Sequence, residues 1–177
     1  MTSTVAPAFD APPAEPLSAV LSRVHDHWVE RVARFLAPAM VPRANFWERW
    51  GSVRYLADEF EDRLRAQCAV VDSLGLLLEP SALDRLAIAR KQLETTRVEL
   101  TQLGRRRGTA GPVAVLARRF LDQVRLWCVE LELATSRLTR DDLPAEARRV
   151  IAHLEAVAGL GLRARSRSIA RPAGEDL

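Results

Sequence analysis

Leu17, Val20, Leu21, Val24, Trp28, Val32 and Phe35 recur at steps of three and four. That spacing puts them on one stripe of an amphipathic helix. Pro38 and Pro42 in "APAMVP" end it, because neither can continue the hydrogen-bond ladder. A second helix is predicted from Asn45 to Leu74, with Phe46, Trp47, Trp50, Val53, Leu56, Phe60, Leu64, Cys68 and Val71 as its buried face. Gly51 is its expected weak point.

Ser81 reads as the N-cap of a third helix. Its apolar stripe is narrow: Leu86, Leu93 and Leu100 lie seven apart, flanked by Leu83 and Leu103. Such a seam suits a peripheral or coiled-coil contact. Gly104 is the expected stop and Pro112 the expected first residue of a fourth helix, whose core face carries Val113, Leu116, Phe120, Val124, Trp127, Leu131 and Leu138. "PAEARRVIAHLEAVAGLG" forms a short fifth helix.

No alternating strand pattern and no repeat occurs. Long helices joined by short connections predict an all-α antiparallel bundle of four to five helices, three of them long. The expected division is an Ala/Pro-rich disordered leader at 1–16, the bundle at 17–160 and a basic disordered tail at 161–177.

Composition narrows the function. A chain of 177 residues that is 48% hydrophobic can bury one core. Its longest nearly apolar run, 66–78, is too short to span a bilayer, and the first residues lack the basic-then-apolar order of a signal peptide. Two cysteines make no disulfide framework. A cytoplasmic, bacterial protein is the expectation.

Charge adds the sharpest feature. The stretch "LGRRRGTAGP" sets three arginines between glycines, and no acidic residue lies between Glu99 and Asp122. In an alternating bundle the 37–44 turn, this loop and the residues after the fifth helix share one end. Arg43, Arg105, Arg106, Arg107, Arg163, Arg165 and Arg167 then gather there, with Arg118 and Arg119 two turns below. The opposite end collects Glu79, Asp84, Asp141, Asp142 and Glu146. Favourable placement of charge against helix dipoles accounts for part of this, but not for three adjacent arginines.

Candidate chemistry is sparse. His25 and His27 are two apart and cannot chelate together from one helix. No Glu-x-x-His pair marks a di-iron bundle, and no metal or cofactor is expected. "LADEFEDRLR" reads as a solvated face whose Glu59–Arg63 and Glu61–Arg65 pairs have the favourable order. Glu130 and Glu132 point different ways, so no acid/base couple stands out. Cys68 and Cys128 sit on apolar stripes, as small hydrophobes do. The arginine loop lacks the Gly-Lys-Ser/Thr ending and the preceding strand of a phosphate loop. Trp47 and Trp50 of "NFWERW" sit near the basic end, where core filling competes with an aromatic contact.

The expectation is a non-enzymatic interaction protein, an adaptor or assembly subunit. It binds protein partners or itself through helix faces and the basic end. Two alternatives stand beside it: a nucleic-acid backbone binder using the arginines, and a small-molecule pocket between helices lined by tryptophans.

Overall fold

The computed structural model describes residues 13–159. Within them the chain forms six α-helices: α1 Leu17–Leu36, α2 Phe46–Ala57, α3 Glu59–Leu74, α4 Pro80–Gly104, α5 Ala110–Ala134 and α6 Ala145–Val157. Short 3-10 turns follow α1 and α3 and precede α6. There is no strand among the described residues; Pro16 and Thr139 form an isolated bridge. The fold is all-α. Because α2 and α3 are one predicted helix interrupted, five helical units make the bundle. Residues 1–12 and 160–177, which hold most of the expected leader and the whole expected tail, lie outside the described residues.

The interruption falls at Asp58 and not at Gly51. Asp58 has φ −106° and ψ −83°, its N–H donates to the Arg54 carbonyl, and its own carbonyl accepts from the N–H of Asp62. It therefore closes one helix and opens the next. Glu59, Glu61 and Asp62 occupy the first turn of α3, where carboxylates favour the positive end of the dipole. The break shifts the phase of the buried face. Val53, Leu56, Phe60, Leu64 and Cys68 are buried as expected, but Val70 and Leu74 replace Val71, and Trp47 is 75% exposed.

Helix ends differ where two signals compete. Pro80 takes the first position of α4 with Glu79 before it, so Ser81 caps nothing. α5 opens two residues before Pro112, which is tolerated in a first turn whose N–H groups lack intrahelical partners. Gly104 is the last residue of α4. A Cβ there would stand 2.5 Å from Val53 Cγ2, so the glycine is needed for the close approach of α2 to α4. The left-handed glycine of the loop is Gly108, at φ +74°.

Contacts across the bundle fix the directions. Leu17 N–H donates to Leu138 O and Arg118 donates to Met40 O, so α1 and α5 are antiparallel. Phe35 stacks on Tyr55 at 4.3 Å and His25 meets Gln67, so α1 is antiparallel to α2 and α3 as well. α4 and α5 form a hairpin. Ala82, Leu86, Ala89, Leu93, Thr96, Leu100 and Gly104 are all buried in α4, a small–large alternation at steps of three and four. The leucine seam is thus filled inside the monomer, chiefly by α5, and is not left for a coiled-coil partner. At the centre Phe60 packs against Trp28 at 5.3 Å and Phe120 at 4.9 Å, joining α3 to α1 and α5.

Candidate functional site: a basic, aromatic end

The turn after α1, the start of α2 and the 105–109 loop share one end of the bundle. Arg118 bonds the Met40 carbonyl at 3.2 Å, and the Arg107 guanidinium lies 6.0 Å from the Phe46 ring centroid. The start of α2 is firmly built. Asn45 accepts from the Glu48 N–H while Glu48 accepts from the Asn45 N–H, both at 2.9 Å, a full capping box. That box occupies Glu48, the one carboxylate in the 41–50 segment.

Ten described arginines have no carboxylate of the described residues within 4.0 Å. Eight belong to this end of the fold: Arg43, Arg49, Arg54, Arg105, Arg106, Arg107, Arg118 and Arg119. The other two, Arg148 and Arg149, are on α6. Arg43, Arg105, Arg106, Arg107, Arg118 and Arg119 are exposed. Like charges gathered at one end repel one another, and among the described residues the Arg107–Phe46 contact and the Arg118 hydrogen bond offset that locally. Arg163, Arg165 and Arg167 lie outside the described residues.

The aromatic residues continue the surface. Phe46 meets Trp47 edge-on at 5.3 Å and stacks on Trp50 at 6.0 Å. Trp47 lies three-quarters in solvent, whereas Trp50 is half-buried. An indole held upright by a neighbouring ring, beside unpaired arginines, can stack on a planar group or seat an apolar anchor.

The opposite end is mixed rather than acidic. Glu79 pairs with Arg137 at 3.0 Å, Arg140 reaches both Glu15 and Glu155, and Asp142 is spent on the Thr139 cap at 2.8 Å. Arg137 and Arg140 thus lie among the acids that the sequence places at that end. α6 stops beside His27, Arg31 and Glu59, partway along α1.

A second polar cluster is internal. His25 is buried, with Nδ1 2.7 Å from Glu132 Oε1 and Nε2 3.1 Å from the Gln67 amide oxygen. It ties α1, α3 and α5 together. Gln67 can present either its carbonyl or, rotated, its NH2 to Nε2, while the Glu132 carboxylate accepts from Nδ1–H. No exposed nucleophile adjoins it. Burial pushes the Cys68 thiol up to about 11 and the Cys128 thiol higher still, so neither is a ready thiolate. Desolvation, then Arg63 and Arg31, lowers His27. Hydrogen bonding from Arg31 holds Glu59 below the usual carboxylate range.

Trp127 lines a cavity of about 340 Å³ between α3 and α4, with Cys68, Leu86 and Arg90. No group of three or more His, Cys, Asp or Glu among the described residues is placed to hold a metal. No described helix is long and apolar enough to cross a membrane.

The sequence pattern points to the arginines and Trp47 but misses buried Arg49 and His25, and it places in a solvated face Arg63, which is buried while Glu59 bonds chiefly to Arg31. Arg49 shares the stripe of Phe46 and Val53, so a charge at core spacing was its signal. The His25–Glu132 pair is separated by 107 positions and had no local signal. No protein-family model matches the chain, and no curated protein or solved structure matches it either.

Proposed function

We propose that this chain is a non-enzymatic interaction protein whose basic, aromatic end docks an acidic segment of a protein partner. One observation carries the reading. Among the described residues, the arginines of this end have no carboxylate partner within 4.0 Å, while eleven arginines elsewhere in the bundle do. Unpaired guanidinia favour planar carboxylates, and exposed charge steers an oppositely charged partner. Trp47 supplies the apolar anchor that charge alone does not. Head-to-tail self-association would have to draw on the exposed Asp84, Asp141 and Glu146 of the opposite end, since Glu79 is paired with Arg137 and Asp142 caps the turn at Thr139.

A second reading, binding to a nucleic-acid backbone, draws on the same exposed indole beside arginines. The two separate on one comparison. Fluorescence anisotropy with a labelled hexaglutamate peptide and with a labelled single-stranded oligonucleotide compares the wild type with R105A/R106A/R107A. The docking reading expects the peptide to bind better than the oligonucleotide. The triple variant should lose about tenfold, because exposed pairs contribute about 0.5 kcal/mol each, and keep its far-UV circular dichroism. Equal peptide binding by the variant rejects the reading; preference for the oligonucleotide, with a steep salt slope, favours the second.

A further inference from the structure

Arg49 stands apart from the other arginines of the basic end. It is only 3% exposed, and its Nε and Nη1 atoms are shielded from solvent with no hydrogen-bond partner. No carboxylate of the described residues lies within 4.0 Å of it. Arg63, the other buried arginine, has Glu59 at 3.9 Å. A guanidinium cannot shed its proton, so burial cannot be relieved by neutralisation.

Its position follows from its neighbours on α2. Phe46, Arg49 and Val53 share one stripe of the helix. Val53 meets Gly104 at the end of α4, and Phe46 lies under Arg107 of the loop. Arg49 is between them, so it faces the last turn of α4 and the arginine loop. The exposed arginines surround this stretch of α2, and the Arg49 guanidinium lies buried beneath them.

We propose that Arg49 is the receptor for one carboxylate of the acidic segment, the buried contact of an otherwise exposed surface. This rests on the docking reading above but makes a separate claim. The exposed arginines steer any anion and are screened by salt. A carboxylate that reaches Arg49 meets a desolvated, hydrogen-bonding cation that salt screens far less. The free protein keeps that cation unpaired, and the partner's carboxylate relieves it.

The test uses acetate, the simplest carboxylate probe, against chloride at matched ionic strength, with the full-length chain. Acetate should raise the melting temperature of the wild type. Arg49→Met should melt higher than the wild type in chloride, by roughly 2–4 °C, because an unpaired buried charge has been removed. It should not respond to acetate, and it should bind hexaglutamate at least about tenfold more weakly.

An Arg49→Met protein that melts lower in chloride, or does not fold, overturns the proposal: Arg49 would then be serving the backbone carbonyls around it. An acetate response equal to the wild type's overturns it too. The two proposals fail separately. If hexaglutamate binds wild type and Arg49→Met equally, docking stands and the Arg49 receptor falls. If acetate acts through Arg49 but hexaglutamate does not bind the wild type, the receptor stands and docking falls.

Discussion

Phe60→Ala is expected to destabilise the protein by about 3–5 kcal/mol, the usual cost of truncating a buried aromatic. Phe60 is fully buried and touches three other rings: Trp28 at 5.3 Å, Tyr55 at 6.5 Å and Phe120 at 4.9 Å. Those rings belong to α1, α2 and α5, so the void would open where the elements meet. Local collapse is therefore restricted, which places the cost toward the upper part of that range. Urea unfolding followed by circular dichroism measures it. A loss below about 1 kcal/mol would mean that the four rings do not form the centre of the core.

The second large effect is expected at His25. Replacing it by leucine leaves Gln67, which is 1% exposed, without a partner, while Glu132 on the rim can turn to solvent. Stranding one buried amide costs about 1–3 kcal/mol. Replacing both His25 and Gln67 by leucine should cost less than the two single losses summed, since no polar group is then stranded. Strict additivity in that double-mutant cycle would contradict the three-helix tie. The same logic runs in reverse at Arg49, where the cation is unpaired in the free protein.

Helices with a clean stripe were legible from sequence. α1 begins at Leu17 as its spacing predicts, and α6 ends before Gly159, whose φ of +71° is the left-handed stop. The break at Asp58 was harder, because Phe60 and Leu64 continue an apolar rhythm across it while the acids that mark a new helix start also suit a solvated face. The α4 seam was visible, yet its partner was not. Spacing shows that leucines need covering but not that α5 covers them. The arginine loop was legible because charge runs are local. The absence of acids from 100 to 121 was local as well, but which distant carboxylates reach which arginines is a property of packing, which pairs Arg137 with Glu79 across 58 positions and brings no described carboxylate to Arg105–Arg107.

The most direct test of the docking surface is amide hydrogen exchange of the protein with and without saturating hexaglutamate. The account predicts slower exchange confined to 41–50 and 104–112, with α6 and the 75–79 turn unchanged. Protection centred on α6 or on the α3–α4 cavity, with the arginine loop unaffected while peptide is bound, would contradict it.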